Sequence, residues 1–241
     1  LKFTYINIIL SLIKKLPKID PNFKLVISLF NKMEINYWVC QGTLLGIIRD
    51  RSLIPWDPDI DLGIINKSLD ILSLKKIMKN NGFNKKKKFF KNDNLITYQK
   101  KGGRDIDINF YKYHNKNKSV ITEWYVPKSF LMKVIEALSL AKKYDGKGKI
   151  LIRCLSFLEK FSKSLKMSLI KKNFFYKKAG YSHPSKFIKR FKVIKFYELD
   201  INVPFFYLEY LKYTYGNDWR KPKKNYSWFK DSPSTITTTN N

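Results

Sequence analysis

The sequence predicts an α/β (α+β) fold: a small mixed sheet flanked by helices, with extra helices toward the C-terminus. Three observations carry this. Residues 38–65 run from an apolar, β-favouring stretch (Tyr37, Trp38, Val39) through a break at Gly42-Thr43 into a short helix ending near Ile48, then turn at Pro55-Trp56-Asp57-Pro58 into Asp59-Ile60-Asp61-Leu62-Gly63-Ile64. Residues 105–111 alternate acid or amide with apolar side chains, the two-residue period of a strand. Around these runs, apolar residues recur at spacings of three and four, the period of a helix packed on one face. The chain divides into N-terminal helices packing on the core (1–36), a catalytic core (37–126) and a helical part completing the same domain (127–241).

In chain order, Phe3, Ile6, Ile9, Leu10, Ile13 and Leu16 mark an amphipathic helix ending before Pro17, packed on the domain or lying on a membrane surface. A second helix is expected from Phe23 to Ile35. After the central stretch, a helix from Ser68 to Met78 buries Leu69, Leu72, Leu74 and Ile77, and Asn81-Gly82 stops it. Strands at Lys88 to Phe90 and Leu95 to Lys100 form a hairpin around Asn92-Asp93-Asn94. From Pro127 the chain turns helical: Ser129 to Leu140, then Ile150 to Ile170 with Leu151, Cys154, Leu155, Leu158 and Phe161 as the buried side. A strand near Lys192 to Tyr197 and a helix from Phe205 to Tyr215, capped by Gly216, complete the order. The aromatics beyond fold back onto the core.

Composition narrows the function. At 241 residues, 44% hydrophobic and 28% charged, the chain has neither the profile of a disordered protein nor that of an integral membrane protein. The net charge of +29 comes from 42 Lys and only six Arg, and the lysines are scattered. Readers of nucleic acid concentrate Arg for bidentate contacts, so nucleic acid is not expected as a partner. The positive field would still draw phosphorylated or lipid-surface substrates, which leaves peripheral membrane contact open. Cys40 and Cys154 make no disulfide framework and no zinc spacing, so a reducing, cytoplasmic setting is the default. His114, in a Lys/Asn-rich loop, and His183, before Pro184, read as polar loop residues and not as bases.

The chemistry lies in the acids. Asp59 and Asp61 are two apart on one strand, so their side chains share a face about 6.7 Å apart, a gap that suits one hard cation. By the same parity Asp105, Asp107 and Asn109 share a face, and if the two strands are neighbours a three-carboxylate site results. Oxygen-only ligands select Mg²⁺ or Mn²⁺. The Gly42-Thr43 break, where a strand gives way to a helix start, offers backbone N–H groups and a hydroxyl to an anion.

These residues resemble the LicD/fukutin family of phosphotransferases. The likeness lies in Gln41-Gly42-Thr43-Leu44-Leu45-Gly46, Arg49 and Ile54-Pro55-Trp56-Asp57-Pro58-Asp59-Ile60-Asp61, and again in Tyr215-Gly216-Asn217-Asp218-Trp219-Arg220-Lys221-Pro222 with the tail Tyr226 to Pro233. It implies a nucleotidyltransferase-like core that transfers a phosphorylated alcohol, such as ribitol phosphate or phosphocholine, from a CDP-alcohol donor to a glycan or glycolipid acceptor, releasing CMP. By position, Asp59 and Asp61 are implied as the metal pair, Asp107 as the third carboxylate, and Gly42 and Thr43 as neighbours of the donor phosphates. Pro58 departs from the bacterial members, which usually carry another Asp there, and the cysteine cluster of the fukutin-related branch is missing. Arg49 or Arg104 would clamp phosphate oxygens, and Trp56 would stack on the cytosine or sugar or anchor the core. The role of Asp105 against that of Asp107 stays open. A Golgi-lumen setting follows if an anchor upstream of Leu1 has been removed. Two alternatives remain: a true nucleotidyltransferase using an NTP, and a basic binding module for nucleic acid or anionic membrane.

Overall fold

In the computed structural model the described residues are 19–65, 70–86, 94–144, 148–172 and 175–237. The helix expected over residues 3–16 and the strand expected at 88–90 lie outside them. The first described helix, α1 (Pro21–Lys32), starts at Asp20, whose carboxylate accepts from the N–H groups of Asn22 and Phe23 at 2.9 and 3.0 Å. Proline at the first helical position needs no amide partner, so Asp20-Pro21 is a start signal of two mutually consistent parts.

The main sheet holds β1 (Tyr37–Val39), β2 (Asp59–Ile65), β3 (Asn84–Lys85), β4 (Leu95–Gln99), β5 (Asp105–His114), β6 (Ser119–Pro127), β7 (Tyr176–Pro184) and β10 (Thr235–Thr237). Its spine runs β1-β2-β5-β6-β7-β10, and β4 pairs with the first half of β5 and carries β3. One pair, β2 with β5, is parallel; the remaining pairs of the sheet are antiparallel. Strands β8 (Phe191–Phe196) and β9 (Leu199–Pro204) form a separate hairpin. The sheet is flanked by α1, α2 (Gln41–Asp50), α3 (Ile71–Asn80) and α7 (Tyr207–Tyr215), with α4 (Phe130–Leu138), α5 (Lys149–Cys154) and α6 (Glu159–Lys171) grouped beside β6 and β7, and a last turn α8 (Trp228–Asp231).

The mixed α/β fold is therefore as the sequence predicts, with differences in detail. Residues 127–241 are not wholly helical, since β7 pairs with β6 over nine positions and β9 completes a hairpin. Helix α3 begins at Ile71 behind an Asp70 cap, and Leu72 is exposed while Leu74 and Met78 take the buried side. Leu151, Cys154 and Phe161 face solvent instead of forming a buried stripe. Gly216 caps α7 with φ +87°, as expected of a helix-ending glycine.

Two close approaches fix the sheet. A side chain on Gly63 would put its Cβ 2.2 Å from the Trp38 ring, which lies across it at the paired position of β1. Trp38 also stacks on Phe191 at 5.4 Å and tilts against Tyr111 at 5.1 Å, so one indole joins β1, β2, β5 and β8. A Cβ on Gly180 would lie 2.1 Å from the Thr122 carbonyl oxygen, so the tight β6–β7 pairing requires glycine there.

His183 is a correction: it is a fully buried residue of β7, not part of a loop. Its ring stacks on Tyr210 at 4.7 Å, Nε2 lies 3.3 Å from the Thr214 hydroxyl, and Nδ1 has no partner. Burial pushes its pKa down from 6.5 to about 3. The unfolded chain therefore takes up a proton that the folded protein refuses between those values, and stability falls as pH drops from 6.5 toward 3, by at most about 1.4 kcal/mol per pH unit. His183→Phe keeps the ring and removes the titration. Chemical denaturation at stepped pH should show stability within about 1 kcal/mol of the parent at neutral pH and a shallower acid limb; an unchanged acid limb would mean other groups set it.

Candidate active site

The register of the parallel pair builds the site. Asp59 is the Cα partner of Asp105, Asp61 of Asp107 and Gly63 of Asn109, so acids two apart on each strand project from one face with the strands about 4.8 Å apart. The turn before β2 adds Asp57. Asp57, Asp59, Asp61, Asp107 and Asn109 line one cavity of about 470 Å³. Asp105 is absent from that wall and forms an ion pair with Lys86, which separates it from Asp107.

Hydrogen bonds hold each acid. The Thr97 hydroxyl donates to Asp107 Oδ1 from the paired position on β4, and Asn109 Nδ2 donates to Asp61 Oδ1 at 3.2 Å. The Asp61 amide donates to the Thr43 hydroxyl at 2.8 Å, and the Cys40 amide to the Asp61 carbonyl at 3.1 Å, so α2 is tied directly to the acidic strand. Burial, then the charge of Asp59 and a hydrogen bond with it, push the Asp57 carboxyl up to about 7, while Arg104 pulls it back in part. Burial, and after it the field of Asp61, also raises the ionisation of Tyr181 and Cys40. Negative charge here is thus concentrated in poorly solvated surroundings.

Strand β1 reverses into α2 at Cys40 and Gln41, where Gln41 takes a positive φ of 48° and donates from Nε2 to the Tyr111 hydroxyl at 3.1 Å. The helix starts one residue before Gly42, and Gly42 lies on the cavity wall. A Cβ there would sit 2.1 Å from Asp57 Oδ2, so this glycine makes room for the Asp57 carboxyl. Gly42→Ala should push that carboxyl aside. A helical Gly→Ala change gains roughly 0.5–1 kcal/mol of propensity, so thermal melting should be preserved while any catalytic rate measured for the site drops about tenfold or more; an unchanged rate would leave Asp57 without a part in the chemistry.

The other candidate residues fall in distinct places. Thr43 is buried and its hydroxyl accepts from Asp61, so it braces the strand. Arg49 reaches the cavity with its side chain 6% exposed, and its guanidinium forks onto Asp50 at 2.7 and 2.8 Å. Trp56 is not a core anchor: at 45% exposure it stands on the cavity wall, with Lys224 Nζ 5.6 Å from its ring centre. Arg104 is not brought to the wall; its guanidinium lies 4.0 Å from Asp20 and its amide donates to the same carboxylate. His114 ends β5 in an exposed position.

The sequence alone assigns no chemical role to Asp57 or to residues 215–232. Tyr226 and Ser232 both donate to the Thr214 carbonyl, at 3.3 and 2.9 Å, which folds this segment against the end of α7. Lys221, Lys223 and Lys224 then line the same cavity as the acids, and Trp228 packs against Trp124 and Tyr181 beside them. A signal for this does exist in the chain: its two motif blocks meet at one cavity.

The donor set suits a divalent cation in chemistry, being carboxylates and an amide oxygen that repel one another unless a cation or proton intervenes. Among the described residues no three of His, Cys, Asp and Glu already converge as a metal-holding group, and the hydrogen bonds to Thr97 and Asn109 account for two of the carboxylates.

Residues 34–142 match the model of the LicD/FKTN/FKRP nucleotidyltransferase domain. Over 211 residues the chain is 24% identical to the human ribitol-5-phosphate transferase FKTN, covering 88% of this chain and 35% of that protein. It is 41% identical over 51 residues to an uncharacterised protein of Rickettsia prowazekii (strain Madrid E), 21% of this chain and 18% of that one. The chain thus spans about a third or less of these relatives. Among solved structures, the lincomycin-bound lincosamide antibiotic adenylyltransferase LnuA aligns over 78% of this chain and 82% of its own at a TM-score of 0.41 and 9% identity.

Proposed function

We propose that this chain, whose residues 34–142 match the LicD/FKTN/FKRP nucleotidyltransferase domain, transfers a phosphorylated alcohol of the ribitol phosphate or phosphocholine kind from a CDP-activated donor to a glycan hydroxyl, releasing CMP. The observation that carries the reading is the parallel register setting Asp61 beside Asp107 on a cavity also lined by three lysines. Asp59, Asp61 and Asp107 would hold Mg²⁺ or Mn²⁺, which when bound supplies charge neutralisation at the donor diphosphate and the leaving CMP.

The chain's own residues do the rest. Lys221 and Lys224 present ammonium groups to the diphosphate oxygens, and Trp56 offers an exposed ring for the cytosine or sugar to stack on. Asp107 accepts the acceptor hydroxyl's proton as that oxygen bonds to the phosphorus bearing the alcohol, and the bond from that phosphorus to CMP breaks.

Product analysis separates this from attachment of a nucleotide from an NTP, for which the same acids and glycine would serve. Incubation with Mg²⁺, a glycan acceptor and either CDP-ribitol or CTP should yield CMP from the former. Pyrophosphate from CTP would assign the alternative reaction.

A further inference from the structure

Leu151 and Phe161, two of the side chains that the helical pattern would bury on residues 150–161, are instead among the most exposed apolar groups of the described residues. Among the described residues, seven large hydrophobic side chains are more than three-fifths exposed: Leu72, Phe130, Leu131, Ile150, Leu151, Phe157 and Phe161, and six of these lie on the arm formed by α4, α5 and α6. The arm is a packed unit. Met132 and Ile135 of α4 pack with Leu165, Leu169 and Ile170 of α6 and with Tyr176 of β7, while α5 packs against the turns on either side of it. Its inner face is therefore satisfied, and the exposed set is a second, outward apolar population.

The charge around that population has one sign. Residues 128–172 carry twelve Lys or Arg against three Asp or Glu. Two of those acids, Glu136 and Glu159, are already paired with Lys166 and Lys163. Lys160, Lys171 and Lys172 are exposed on α6 and at its end. Bulky exposed apolar side chains on a segment rich in lysine complement an anionic bilayer surface, where the apolar groups enter the boundary between headgroups and acyl chains and the ammonium groups meet lipid phosphates. A protein partner of ordinary composition gives no reason for this excess of one charge. No described helix is long and apolar enough to cross a membrane.

We propose that the α4–α6 arm, through Phe130, Leu131, Ile150, Leu151, Phe157 and Phe161, docks the protein on an anionic membrane surface. This stands apart from the transfer reaction: none of the six residues lines the active-site cavity, and docking needs no substrate.

The test is flotation of the whole chain with vesicles of phosphatidylcholine alone or mixed with phosphatidylglycerol. The thiol of Cys154, exposed on α5, carries an environment-sensitive fluorophore, and Cys40, being buried, stays unlabelled. The parent should float with the mixed vesicles, and the probe should brighten and shift blue. A Phe130→Ser, Leu131→Ser, Phe157→Ser, Phe161→Ser variant should lose partitioning more than about tenfold, each ring or branched chain removed costing apolar burial. A Lys160→Gln, Lys171→Gln, Lys172→Gln variant should lose affinity for the mixed vesicles only. Each substituted side chain is exposed, so thermal melting should match the parent, and a lowered melt would be answered by the double variant Phe157→Ser, Phe161→Ser.

Vesicle binding by the Ser variant equal to the parent's would assign membrane contact to another part of the chain and overturn the proposal. So would a silent Cys154 probe, or a parent that self-associates in solution through this face and ignores vesicles.

Discussion

Asp61→Asn should abolish transfer, by about a thousandfold or more, and leave the protein as stable as the parent. The substitution is isosteric. The Asp61 amide still donates to Thr43, its carbonyl still accepts from Cys40, and the side-chain oxygen still accepts from Asn109. What disappears is one negative charge from a group in which Asp57, Asp59 and Asp107 line the same cavity. Removing a like charge relieves repulsion, so the melting temperature measured without divalent ion should hold or rise. Asp107→Asn should behave the same way, since Thr97 can still donate to the amide oxygen. Full rates in both variants would remove the carboxylates from the chemistry, while a collapse of the melt would show that they are structural.

Trp38→Ala should cost about 3–5 kcal/mol, the largest loss of stability expected from one substitution here. Trp38 is 1% exposed and covers Gly63, whose missing side chain exists to admit it. Truncation leaves a void between β1, β2 and the Phe191 ring that no neighbour can fill, because Gly63 offers no atoms. Trp38→Phe should cost far less, since the indole Nε1 has no hydrogen-bond partner to lose. Urea unfolding of the three proteins measures both differences. Because β2 carries Asp59 and Asp61, the Ala variant should also lose activity in proportion to its unfolded fraction.

The contrast between the two acidic strands and β7 shows what the sequence discloses. Alternation over residues 59–65 and 105–111 is a local signal, with apolar groups on one parity and acids on the other, but that the two strands are neighbours, parallel and in register is seen only in the folded sheet. Strand β7 reads Tyr-Lys-Lys-Ala-Gly-Tyr-Ser-His-Pro, without β-branched residues and with Gly180 and Pro184 inside it. Its conformation is set by nine pairings to β6, a partner some fifty residues away, and no window of sequence contains that. Burial of His183 follows from the same pairing.

The α5–α6 region departs from expectation for a different reason. A helical apolar stripe says that one face differs from the other, not which surface covers it. Here α4 and β7 cover the Leu165 and Leu169 side, and the Phe157 and Phe161 side is left to solvent. In the active site the acids are legible as pairs, whereas Asp57 is hidden in a turn and acquires its place only through the space Gly42 leaves. Likewise the lysines of residues 221–224 are three among 42, and only the fold back onto α7 distinguishes them.

The most direct test is the melting temperature of the parent and of Asp61→Asn with and without CDP-ribitol, both in Mg²⁺. A ligand at a hundred times its dissociation constant stabilises the folded state by about 2.7 kcal/mol, so the parent should melt several degrees higher with the donor and Asp61→Asn should not move. Equal donor-induced shifts in the two proteins, or a parent shift that survives EDTA, would contradict a cation-dependent donor site built on Asp61 and Asp107.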